Sequence, residues 1–154
     1  MGAADRKCEQ AIILVMAIVL MGLLVWWVCT NFFYKSGATI TIGETVFAAK
    51  VAESEEERAA GLSGTAYLPP NHAMLFVFPH ADFWGIWMRD MRYPIDVVWL
   101  DETYKVVHIE HSMQPGSYPK VYRPTKKAKY VVEFAASTAK MTYLTIGQEV
   151  RIVQ

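Results

Sequence analysis

Hydrophobic positions along this chain fall into two kinds of pattern. From Ala11 to Val28 they are continuous, "AIILVMAIVLMGLLVWWV", with no polar side chain. After Gly37 they come in short runs rich in β-branched and aromatic residues. These are "ATITI" (38–42), "TVFAAKV" (45–51), "AMLFVF" (73–78), "FWGIWMR" (83–89), "IDVVWL" (95–100), "KVVHIEH" (105–111), "KYVVEFA" (129–135) and "EVRIV" (149–153). Glycine, proline, asparagine or aspartate punctuates them at short intervals, which predicts a mainly β domain over residues 37–154, an antiparallel sandwich or barrel. One or two short helices interrupt it. Ser54 with Glu57 three residues on forms a capping box, Glu55 and Glu56 suit the positive end of a helix, and Gly61 can terminate it. A second short helix is expected from about Ser137 to Leu144.

The continuous run predicts a single transmembrane helix. At about 1.5 Å per residue, residues 11–28 reach roughly 27 Å, and "CTNFFY" extends the anchor to residue 34. Trp26, Trp27, Phe32, Phe33 and Tyr34 gather at its far end as an interfacial belt would. The run exceeds the apolar core of a cleaved signal peptide and no small-residue cleavage site follows it. Bulky Trp27 and Val28 before Cys29 argue against a lipoprotein start. Arg6 and Lys7 place the tail, residues 1–10, in the cytoplasm and the β domain outside it, as in a single-pass membrane protein.

The stretch "FWGIWMRDMRYPIDVVWLD" (83–101) alternates apolar and charged residues around Pro94. Two strands joined at "MRYP" would pair symmetrically about the Arg92–Tyr93 bond and set Arg89 opposite Asp96. In that register Trp84, Ile86, Met88, Ile95, Val97 and Trp99 share an apolar face. Trp87, Arg89, Asp96, Val98 and Leu100 share the other, and an ion pair sits among apolar neighbours.

Charge and chemistry narrow the possibilities. Setting Arg6, Lys7, Lys35, Asp5 and Glu9 aside from the 15 residues of each sign leaves the β domain with twelve bases and thirteen acids. Nucleic acid is therefore not the expected partner. Both cysteines, Cys8 and Cys29, lie outside the domain, which excludes a disulfide or thiolate metal site within it. P-loop, dinucleotide, zinc-protease and redox C-x-x-C motifs are absent, and no cofactor is expected. "GLSGT" (61–65) ends in Thr65 where a nucleophile elbow needs glycine, so Ser63 reads as a turn residue. His108 and His111, three apart in a strand, face opposite ways. His72, His80 and Asp82 flank one loop, but surface or capping roles suit them better than a metal site.

The order "RAAGL" (58–62), "AMLFVFP" (73–79), "WMRDMRYPIDVVWLD" (87–101) and "YVVEF" (130–134) resembles the bacterial and archaeal family called domain of unknown function 192. The resemblance covers nearly all of residues 38–153. Ala73 stands where that pattern usually has glycine, and Ser63, Gly64 and Thr65 stand where it commonly has an arginine after Gly-Leu. It implies a jelly-roll-like β sandwich, often exported or anchored, and no defined activity. Arg58, Trp87, Arg89 and Asp96 are then the candidate site. They form either a structural ion pair beside a tryptophan wall, or a pocket orienting a polar ligand against Trp87. The expected role is binding of a small molecule, an envelope glycan or a protein partner. The alternative is a cell-envelope hydrolase with Asp96 as general base and Asp82 or a histidine as its partner.

Overall fold

A computed structural model describes residues 12–24 and 37–154, which belong to two compact units, Met1–Lys35 and Ser36–Gln154. In the first unit residues 12–24 are helical and all are exposed. Those described residues cover about 20 Å at 1.5 Å per residue. Among the described residues no helix is long and apolar enough to cross a membrane. The remainder of the expected 11–34 span lies outside the described residues.

The second unit is mainly β with few short helices, as the punctuated apolar runs imply. Seven strands form one sheet: β1 (Ala38–Ile42), β2 (Thr45–Ala52), β3 (His72–Asp82), β4 (Ile95–Leu100), β5 (Val106–Met113), β6 (Ala128–Ala135) and β7 (Arg151–Val153). Their order is β5-β4-β6-β3-β2-β1-β7. The sheet is mixed, which corrects the all-antiparallel expectation: β2 and β3 run parallel. The connection that makes this possible is helix α1 (Glu55–Ala60), capped as its sequence predicts. Ser54 Oγ accepts the Glu57 N–H at 3.1 Å, and Glu57 accepts from the N–H groups of Ser54 and Glu53. Those backbone donors hold the Glu57 carboxyl below its ordinary pKa. Gly61 ends the helix at φ 47° and donates to Glu57 O.

Residues 83–94 do not form a strand, and the predicted hairpin is absent. Both edges of β4 are taken by partners remote in sequence, β5 and β6, so no ladder is left for the preceding segment. The segment instead crosses one face of the sheet as a strap. Trp84 Nε1 donates to His80 O, Trp99 Nε1 donates to Trp84 O at 2.9 Å, and Ile86 exchanges two backbone hydrogen bonds with Tyr122.

The strap explains why β4 is buried along its whole length. Alternate strand residues face opposite ways, and the register continues this across β4, β6 and β3. One face carries Leu75, Val98, Val132 and Phe134 and packs with Ile40 and Phe47 in the main core. The other carries Met74, Phe76, Val97, Trp99, Val131 and Glu133. Helix α2 (Thr138–Met141) follows β6 and is shorter than the expected 137–144.

Candidate functional site

Beneath the strap lies a cleft of about 60 Å³, enough for a few waters or one small polar molecule. Its walls include Arg58 and Gly61 from the end of α1, and Trp87 and Met91 from the strap. Phe76 of β3 and Glu133 of β6 also line it. The two walls are tied together across the mouth. Ser63 Oγ donates to Arg89 O at 2.8 Å, the Gly64 N–H donates to Asp90 O at 2.9 Å, and Arg89 Nη2 donates to Ala59 O at 3.2 Å. Ser63 is thus a turn residue that fastens the strap.

Glu133 is the unusual member. It sits mid-strand between Met74 of β3 and Val97 of β4, and is 5% exposed. Its Oε2 is buried and has no hydrogen-bond partner among the described residues. Among the described residues no cation pairs with it. Burial alone pushes its pKa up to about 8, so the carboxyl is mostly neutral at pH 7. Tyr93 lies close enough to feel its charge; burial raises the phenol's pKa, and the hydroxyl sits 2.6 Å from Thr65 Oγ1.

Two of the four residues expected at the site, Arg58 and Trp87, line this cleft. Arg58 Nη1 donates to Glu53 O and, at 3.0 Å, to Val77 O, while its guanidinium lies 5.2 Å over the Phe78 ring. Trp87 is 44% exposed, with the Arg89 guanidinium 5.5 Å from its ring centroid. Arg89 itself turns to Ala59 and Asp90, the latter 4.0 Å away.

Asp96 is elsewhere, which corrects the expected Arg89–Asp96 pair. It is paired with Phe134 on the face of the sheet opposite Glu133. Fully buried, it accepts from the N–H groups of Ser112 (2.8 Å), Ser137 (3.2 Å) and Ala139 (2.8 Å). Both oxygens are committed to joining the end of β5 to the start of α2, where Ser112 and Ser137 adopt positive φ. Asp96 is a structural carboxylate with no surface open to a substrate.

The remaining candidates are dispersed. His72 Nδ1 is 2.9 Å from Asn71 Oδ1, the His80 ring leans on Trp84, and Asp82 Oδ1 accepts from the Phe83 N–H. His108 is 3.2 Å from Glu110 Oε1. Among the described residues no three such groups converge as a metal site would require.

The geometry defines a class: a mixed-sheet β domain with one apolar face given to the core and the other roofed by a strap over a carboxyl-floored cleft. The family model for domain of unknown function 192, described as "Uncharacterized ACR", matches residues 38–152, and the chain belongs to that family. None of the curated proteins matches it. Two solved structures are similar in fold. One is a provisionally assigned transcription regulator from Sinorhizobium meliloti 1021, 20% identical with a TM-score of 0.68, covering 74% of this chain and 90% of that one. The other is a protein of unknown function from Novosphingobium aromaticivorans DSM 12444, 23% identical with a TM-score of 0.68, covering 74% and 82%. Identities this low carry the fold and nothing of activity.

Proposed function

We propose that this protein is a membrane-anchored, extracytoplasmic binding protein that holds a small polar ligand in the cleft between α1 and the strap. One observation carries the reading: Glu133, a buried carboxyl whose Oε2 has no hydrogen-bond partner among the described residues, borders an open cleft. An unsatisfied buried polar group costs about 1–3 kcal/mol, more when charged, and a fold has no structural reason to keep one there. A bound molecule that hydrogen-bonds the carboxyl recovers that cost. Half-exposed Trp87 at the mouth supplies an apolar surface for the ligand's carbon atoms. The cleft's size favours a small molecule over a glycan chain or a protein surface. Asp96 offers no support to the hydrolase reading, since three backbone donors occupy it on the opposite face.

The anchor and its orientation rest on the unbroken apolar run 11–28, its aromatic end, and Arg6 and Lys7 before it. The barrel-like form is supported by hydrogen bonds between the two ends of the strand order. Val106 N–H donates to Gln148 O, and the N–H groups of Gly147 and Val150 donate to Val106 O and Tyr104 O.

Ligand-observed NMR on the full chain in detergent, against a library of small polar compounds, tests the cleft. Compounds should bind the native protein and lose binding in Glu133→Met, which keeps the volume and removes the carboxyl. A library that yields no binder, or binders indifferent to Glu133→Met, would remove the reading.

A further inference from the structure

The groups around the cleft narrow the chemistry of what it holds. Glu133 contributes a buried carboxyl whose Oε2 has no hydrogen-bond partner among the described residues. Its neighbours on the flanking strands, Met74 and Val97, are apolar, and on the strap the neutral Tyr93 phenol lies close enough to feel its charge. Arg58, on the α1 wall, is bonded to two backbone carbonyls, which fix its position and leave its charge uncompensated. No carboxylate lies within 4.0 Å of it among the described residues. Arg89, on the strap, has Asp90 beside it. A cation without a counter-charge and an acid without a partner thus line one small cavity and do not pair with each other.

Single-function ligands fit this badly. A simple ammonium ion would satisfy Glu133 but meet the positive charge of Arg58. A simple carboxylate would satisfy Arg58 and leave Glu133 unpaired. A neutral hydroxyl compound would give Glu133 a hydrogen bond and leave Arg58 as it was. Resting on the cleft being a ligand site, we propose that its ligand is a small amine that also carries an acidic group, the chemistry of a free amino acid. The ammonium group meets the Glu133 carboxylate, the acidic group faces Arg58, and the carbon skeleton lies against Phe76 and Trp87.

This assignment has a consequence in protons. Burial keeps Glu133 neutral in the free protein up to about pH 8. An arriving ammonium ion favours the carboxylate, so Glu133 gives its proton to the buffer as the ligand binds. Below about pH 8 binding therefore releases close to one proton, and affinity climbs about tenfold per pH unit until the carboxyl is ionised without help.

Isothermal titration of the full chain in detergent reads both quantities. The probes are glycine, β-alanine, 4-aminobutyrate, methylammonium, acetate and glycerol, in two buffers of different ionisation enthalpy, at about pH 6.5 and about pH 9. At least one amino acid should bind about tenfold or more tighter than methylammonium or acetate. It should release close to one proton at the lower pH and almost none at the higher. Glu133→Gln, nearly isosteric, should lose both the release and about tenfold or more in affinity. Acetate or glycerol binding as well as any amino acid, with no proton released, overturns the ligand class while the cleft remains a binding site. If the NMR library yields Glu133-dependent binders but no amino acid binds here, only the ligand class falls. Silence in both experiments removes the cleft reading itself.

Discussion

Glu133 and Asp96 are two buried carboxyls in one small domain with opposite consequences. Asp96 is matched by three backbone donors, so deleting it strands N–H groups at the start of α2 and the end of β5. Asp96→Ala should cost about 2–4 kcal/mol in urea unfolding. Glu133 is matched by none, and its pKa is raised from an ordinary 4.5 to about 8. A raised acid contributes stability that is fully present below about pH 4.5 and lost as pH rises toward 8, because the unfolded chain ionises freely while the folded one does not. At about 1.4 kcal/mol per unit the loss approaches 5 kcal/mol by pH 8. Glu133→Gln should therefore be more stable than the native protein by about 2–5 kcal/mol at pH 8 and lose that advantage near pH 4. Parallel stability profiles for the two proteins would show that Glu133 does not titrate as a buried acid. The signal was present in the sequence: "KYVVEFA" sets one carboxylate inside a strand otherwise fit for a core. Its importance depends on β3 and β4 flanking β6, which no local pattern announces.

At the level of elements, α1 was legible almost to the residue because its capping box, acidic first turn and terminal glycine are local chemistry. Segment 83–94 was not. Its alternation of apolar and polar residues suits a strand, but the partner that β4 accepts is chosen by topology, and β5 and β6 occupy both of its edges. The alternation served a different purpose. Ile86 and Met88 are buried and Trp87 is half-exposed, so the strap reads as a one-sided cover over Trp99 and Glu133. Two consequences follow. Arg89 and Asp96 lie apart, so a double-mutant cycle between them should be additive within about 0.5 kcal/mol. A coupling well above that would restore the hairpin. At Gly85 the strap runs close against the loop after β5: an added Cβ would meet Val121 Cγ1 at 2.5 Å. Gly85→Ala should lift the strap, lower stability by about 1–3 kcal/mol and change the near-ultraviolet circular dichroism of the tryptophans. An unchanged spectrum and stability would mean that half-exposed Val121 simply moves aside.

For the whole molecule, the two units differ in what they require of their surroundings. Ser36–Gln154 buries its apolar strand residues within its own sheet faces and, Asp96 and Glu133 apart, leaves its charged side chains at least partly exposed. Residues 12–24 do the reverse: Ile13 is 66% exposed and Leu14 63%, and no side chain in that stretch is buried. A helix apolar all round must be covered by protein or by lipid, and among the described residues nothing covers this one. We therefore expect the chain from Ser36 onward to stay monodisperse without detergent, with a β-dominated circular dichroism spectrum and the Glu133-dependent pH profile intact. The full chain should float with phospholipid vesicles in a density gradient, at low and at high salt alike, because apolar insertion is not screened as surface attraction is. Vesicle binding that disappears at high salt would replace the anchor with a peripheral contact. Failure of the shorter chain to fold would mean that residues before Ser36 complete the domain.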